Sequence, residues 1–224
     1  MFLSNVTVQA NLIMKGRLTW RDPKIWLKYK IPPPVLPPTA VECGSKLRII
    51  DMIRRMLTPR QTTMFRATCF GHFLQLPTDL TFQGKLIHSV LVRELYTENV
   101  RDQLWYFLGG RPCRFSKTEF ALITGLNMGP REDNENGFFK YLPTVPDWTK
   151  LGMDRPVTLV EFEDEFSTID WSAEKDEIAV RFAMVLFLHR TLLGLPDEAI
   201  IDTQWLRLAQ DIGMFNNYPW GLLV

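Results

Sequence analysis

The stretch that most constrains the fold of this chain is LWYFLGGRPCRFSKTEFALITGLNMGP, residues 104–130. Two aromatic-rich arms flank Gly109-Gly110, a pair that tolerates the positive φ of a two-residue hairpin turn, and the pattern predicts a β-hairpin over about residues 104–115. Pro112 cannot donate to a ladder, so the returning arm is expected at a sheet edge. Alternation puts Cys113 on the side of Phe115, which predicts packing for the thiol. Ser116 and Glu119 then have the spacing of a capping box, opening a short helix with Phe120 and Ile123 that stops at Gly125. The same stretch excludes a phosphate loop, whose glycine-rich turn must lead from a strand into a helix N-terminus. Here the glycine pair joins two strands and Gly125 ends a helix.

Around the hairpin the periodicity is helical. Leu47, Ile50, Ile53 and Leu57 recur at three to four residues behind Ser45 as expected N-cap, and Thr58-Pro59 supplies a second cap. Phe65, Cys69 and Phe73 share one face of the helix expected to run on to Pro77. Another helix is predicted from about Gln83, with Leu86, Ile87, Val90, Leu91 and Leu95 facing inward. Thr158 and Glu161 form a second capping box, with Leu159, Phe162 and Phe166 on one side of its helix. The longest predicted helix covers Ser172 to Leu193 and ends at Gly194, with Ile178, Phe182, Val185, Leu186 and Leu192 inward. A last one is expected from about Asp202 to Ile212, and the apolar ending GMFNNYPWGLLV suggests a polypeptide that continues.

The predicted class is therefore mainly α: a single helical domain, residues 45–224, with an embedded hairpin. Residues 1–44 read as an N-terminal extension ending in IPPPVLPP, a run that must be extended because successive prolines fix φ and remove donors. Its Pro34-x-x-Pro37 has the spacing of an SH3-type ligand. Trp20, Trp26 and Tyr29 alternate there with Arg21, Lys24, Lys28 and Lys30, a pattern of core rings beside solvated lysines or of a binding surface. The polar segment MGPREDNENGFF reads as a surface loop.

Three scattered cysteines, Cys43, Cys69 and Cys113, do not make a disulfide framework and fit a reducing compartment. No apolar run reaches the roughly 18 to 20 residues a membrane helix needs, and the N-terminus lacks the form of a signal peptide, so no membrane role is expected. The Asn5-Val6-Thr7 sequon is then chance. The net charge of +1 hides an asymmetry: residues 1–130 carry 18 Lys/Arg against 8 Asp/Glu, and residues 131–224 carry 8 against 17. Such a layout serves an anionic partner or joins two halves that attract each other.

Chemistry-bearing constellations are sparse. Cys69 and His72, three apart, share a face, and His88 and Cys113 would be needed to complete a tetrahedral metal site; no paired Cys-x-x-Cys spacing accompanies them. A thiol hydrolase needs a Cys, a His and an orienting Asp or Asn in one place, which the sequence does not bring together. The run EFEDEF, residues 161–166, is expected to be a solvated face, and His189 a cation suited to a helix C-terminus. No catalytic residue, metal site or cofactor is assigned. The leading expectation is a non-catalytic protein-interaction or scaffolding module with an unidentified protein partner, with Tyr106 and Phe138 as exposed contact rings. The first alternative is nucleic-acid binding through Arg48, Arg54, Arg55, Arg60 and Arg66, and a third, lower-ranked one is a cysteine- or metal-dependent enzyme.

FGHFLQLP (70–77), GKLIHSVLVREL (84–95), the 104–130 stretch, VRFAMVLFLHRTLLG (180–194) and FNNYPWG (215–221) together resemble a plant domain of unknown function. That domain precedes the Ulp-type SUMO-protease catalytic domain in transposon-associated proteins. The hairpin, capped helix and ITGLNMG are also distantly similar to the plant mobile domain. The resemblance implies a plant protein, nuclear in preference to cytoplasmic, with any protease domain placed after Val224. The His, Asp, Gln and Cys settings of a Ulp-type catalytic domain are not matched, so no catalytic residue is carried over.

Overall fold

A computed structural model of the chain describes residues 15–17, 26–28, 30, 42–77, 79–97, 103–129 and 156–223. Among these, nine α-helices, a 3-10 turn and a π turn accompany two small antiparallel pairings, so the mainly α class holds. The expectation of one domain is not confirmed. The chain divides into two compact units, Met1–Glu42 with Thr81–Thr124, and Cys43–Leu80 with Gly125–Val224.

In the first unit, β1 (Lys15–Arg17) pairs with β2 (Trp26–Lys28) and Lys30 pairs with Glu94 at 2.5 Å. Helices α1 (Arg48–Met56) and α2 (Pro59–Arg66) belong to the other unit; here α3 (Gly84–Leu91) precedes β3 (Gln103–Leu108) and β4 (Arg111–Ser116). Gly109 and Gly110, with φ of 57° and 77°, make the expected turn, and the register opposes Leu108 to Arg111, Tyr106 to Cys113 and Leu104 to Phe115. On the far side of β3, Leu95 N–H donates to Trp105 O and Phe107 N–H to Arg93 O, leaving β4 as the edge among the described residues, where Pro112 is tolerated. The Glu119 carboxylate accepts from Ser116 N–H at 2.7 Å, half of the expected box. The Ser116 hydroxyl takes the Thr118 amide instead, at the start of α4 (Lys117–Thr124).

Three expectations fail in this unit. Leu86 and Ile87 are exposed, at 60% and 38%, because an eight-residue helix with apolar residues on adjacent positions cannot turn them all to one side. Cys113 is exposed, since it sits toward the uncovered hairpin tip while Phe115, nearer the base, meets Phe120 edge to face. Tyr106 is 7% exposed and is a core residue, its phenol pushed up to about 12 by burial and then by the neighbouring Glu94 charge.

The second unit is built around α6 (Asp176–Phe187), which α1 (Arg48–Met56), α2 (Pro59–Arg66), α5 (Leu159–Thr168) and α7 (Thr203–Leu208) all pack against. Near its start Phe162 stacks on Phe182 at 4.0 Å, with Phe166 and Trp171 beside them. Near its end Phe187 meets Phe65, Phe70 and Phe73, and Phe70 reaches Phe215 of α8 (Ile212–Asn217) and Trp220 of α9 (Trp220–Leu223). Both Thr-initiated capping boxes form, Thr58 with Gln61 and Thr158 with Glu161. Buried Gln61 also donates to Trp171 O at 2.7 Å, so one side chain caps α2 and ties it to the turn before α6.

Several boundaries differ from the sequence reading for tertiary reasons. Helix α1 begins at Arg48 with no side-chain cap, three residues after Ser45; the Lys46 N–H donates to Arg190 O and the turn closes through Ile49 N–H on Lys46 O. Helix α2 ends at Arg66, where Thr68 turns its hydroxyl onto Phe65 O and Asn216 captures the Cys69 amide; a 3-10 turn, Gly71–Gln75, follows. Helix α6 starts at Asp176, after a turn in which Asp170 accepts from Ser172, and ends in a π turn, Leu188–Leu192. The helix expected from Asp202 to Ile212 divides, since Asp211 caps a new helix through Met214 N–H.

His189 is not the expected surface cation. It is 1% exposed with Nδ1 donating to Val185 O at 2.8 Å, and burial holds its pKa below the ordinary value of 6.5 despite the opposing Val185 bond and Asp202 charge. The unfolded chain takes up a proton near 6.5 that the folded imidazole resists, so stability falls as pH drops through that value. Melting curves at pH 7.5 and 5.5 are expected to show a lower Tm at pH 5.5, and His189→Gln to reduce that difference; an unchanged difference contradicts the assignment.

Candidate functional site

The second unit carries a cleft of about 240 Å³ between α1 and the chain that leaves the 3-10 turn. Leu47, Ile50, Leu76, Pro77 and Leu80 form its apolar walls, and Arg48, Asp51 and Arg54 its polar ones. Successive turns of α1 present Leu47, Ile50, Asp51 and Arg54 to one side by the three- and four-residue spacing of a helix. Arg54 fixes the opposite wall: its guanidinium donates to Leu74 O at 2.7 Å, to Leu76 O and to Asp51 Oδ1 at 2.6 Å. Leu80 is 46% exposed at the rim, and the Arg48 side chain is 56% exposed although one end bonds Glu163.

Behind Arg48 runs a chain of charges. Arg190, 1% exposed, lies with Nε 2.6 Å from Glu163 Oε2, out of line for a hydrogen bond, and donates from Nη1 to Asp197 Oδ1 at 2.6 Å. Arg48 closes on the other Glu163 oxygen and Lys46 on Asp197. Hydrogen bonds from Lys46 and Arg190 hold the Asp197 carboxyl below the usual range. Glu163, expected on a solvated face, is thus buried: it follows Phe162 and lies four residues after Leu159 on the inward stripe. The signal for this pairing was Arg190 itself, a cation inside the apolar run FAMVLFLHRTLL, which demands a buried acid.

The nominated arginines separate. Arg48 and Arg54 line the cleft, both engaged; Arg60 pairs with Asp176 at 2.8 Å; Arg55 and Arg66 are exposed, with Arg55 Nε reaching Asp51 O. Tyr106 is buried in the hairpin unit, and Phe138 lies outside the described residues. The Cys69 thiol is pushed up to about 12 by burial, which makes it a poor nucleophile. Among the described residues no group of three His, Cys, Asp or Glu side chains is gathered for a metal. The cleft contains neither Cys nor His, and its one carboxylate, Asp51, is bound by Arg54, so its lining suits recognition.

A family profile, Domain of unknown function (DUF1985), matches residues 91–224, more than half of the chain. The chain belongs to the DUF1985 family. No curated protein and no solved structure shows a significant match to it. The DUF1985 match takes in Glu163, Arg190 and Asp197 and leaves out Lys46, Arg48 and every residue that lines the cleft. Within DUF1985 no helix of the described residues is long and apolar enough to cross a membrane.

Removing one member of a buried ion pair strands the other. Glu163→Ala is expected to destabilise by about 3 kcal/mol or more, whereas exposed Asp164→Ala in the same acidic run should stay within roughly 0.5 kcal/mol. Urea denaturation of the two variants checks the contrast, and equal midpoints would remove the buried pair from the account.

Proposed function

We propose that this DUF1985 chain is a non-catalytic protein-interaction module of a plant, transposon-associated Ulp-like protein, working in the nucleus. The plant and Ulp context rests on the five sequence blocks that resemble such proteins. The interaction reading rests on one observation: an apolar cleft whose rim offers exposed Leu80 and the open side of Arg48. A guanidinium has five donors in a planar fork, so the rest of Arg48 remains suited to a carboxylate. The partner that fits is an extended peptide with one aliphatic side chain for the cleft and an acidic residue beside it.

The test is selection from a displayed peptide library on the full chain, followed by titration of the selected peptides. Leu80→Glu, at an exposed position, should leave the Tm unchanged and weaken such peptides by tenfold or more; equal binding would end the proposal.

Pairing of Arg48 with Glu163, Arg60 with Asp176 and Arg54 with Asp51 weighs against the nucleic-acid alternative, because these cations are already partly neutralised. Fluorescence anisotropy with short single- and double-stranded DNA and RNA at about 50 and 200 mM salt is expected to show no micromolar binding that collapses with salt. Such binding would reverse the order of the two readings.

A further inference from the structure

The DUF1985 match begins at Leu91, the last residue of α3, yet the packing of the second unit begins at Cys43. We infer that residues 43–80 are an integral face of the folding unit that holds residues 125–223, so that the matched span is incomplete as a fold without them.

The core carries this inference. Ile49, Ile53, Phe65 and Phe70 are fully buried, and Ile50, Leu57 and Leu74 nearly so. Phe70 is central to the aromatic cluster that joins the two parts, with ring centroids 5.0 Å from Phe187, 5.5 Å from Phe215 and 5.6 Å from Trp220. Taking away 43–80 would open those three rings, all now at 0% exposure, to water.

Polar bonding points the same way. Gln61 satisfies Trp171 O, Asn216 accepts the Cys69 amide, and Lys46 N–H satisfies Arg190 O, a carbonyl of the π turn. Arg48 and Lys46 each complete one acid of the Arg190 cluster. The approach is also sterically specific. Gly44 packs backbone to backbone on Gly194, where a Cβ on Gly44 would lie 2.4 Å from Gly194 O. A flanking segment that merely rested on a finished domain would not supply partners to its interior on this scale, since a buried polar group left without its partner is costly.

The test uses the whole chain. Protease-recognition sequences placed after Glu42 and between Thr81 and Phe82, all three exposed, allow the segment 43–81 to be cut from both flanks after folding. The nicked protein is expected to elute as one species and to separate only on denaturation. Separation of that segment under native conditions, with the largest piece keeping its near-ultraviolet signal and a cooperative melt, overturns the inference. In the uncut chain, Phe70→Ala should lower the Tm by about 10 °C. A shift under about 2 °C would equally overturn it, whatever the cleavage sites do to folding.

Discussion

Arg190 is the constraint on which much of the larger unit depends. A guanidinium at 1% exposure inside an apolar helix requires acids delivered to it, and Glu163 and Asp197 arrive from α5 and from the loop after the π turn. That demand fixes the rotation of α5 about its axis. It agrees with the apolar stripe, because the turn that offers Glu163 also buries Leu159, Phe162 and Phe166. Arg48 and Lys46 then close on the same two acids, so the chain entering α1 is held where the chain leaves α6. The desolvation cost of such a buried ion cluster offsets much of its Coulombic attraction, so its net contribution to stability is small, whereas loss of one member leaves a buried charge unpaired.

The uneven charge of the two halves has part of its explanation here. Lys46 with Asp197, Arg48 with Glu163 and Arg60 with Asp176 each join a cation from the first half to an acid from the second. These pairs are not equivalent. Arg60 is 82% exposed, and water and salt screen its interaction, whereas Glu163 is at 6% and its pairs are screened far less. Attraction between halves is therefore concentrated at the one place where it also decides packing.

What the sequence made legible was local. The Gly109-Gly110 turn, the edge position of Pro112, the Thr58 cap and the Thr158 capping box depend on residues within a few positions of each other, and each is found. What it concealed was set from a distance. Ser45 does not cap α1, which starts only at Arg48, after the Lys46 N–H has bonded Arg190 O; α2 stops early, because Asn216 captures the Cys69 amide. The candidate contacts suffered in the same way. Tyr106 looked available as a strand aromatic, but the segment Arg93–Leu95 bridges β3 opposite it, Glu94 against Tyr106, and the ring lies in the interior of its unit. Arg48 and Arg60 looked like parts of a basic surface because their acids, Glu163 and Asp176, lie more than a hundred residues away in sequence. Arg190, a cation inside an apolar run, carried a signal of its own that the local patterns did not absorb, and it draws one acid from seven residues on and the other from α5.

The cleft and the core share α1, and this limits how the lining of the cleft can vary. Ile49 and Ile53 turn fully into the interior, while Leu47, Asp51 and Arg54 face the cleft with Ile50 at its base. Arg54 is bonded to the opposite wall, so the cleft is held open at a fixed width, and a ligand would not have to order it on binding. The same bonding makes most of the lining unavailable for change. Replacing Arg54 would release Leu74 O and Leu76 O, and replacing Arg48 would take a cation from Glu163. Leu80 is the lining residue least tied to the fold, an exposed side chain beyond the 3-10 turn. The lining therefore has room to change at its rim, and at Leu80 above all, while its floor and both arginines remain bound to the packing of the unit.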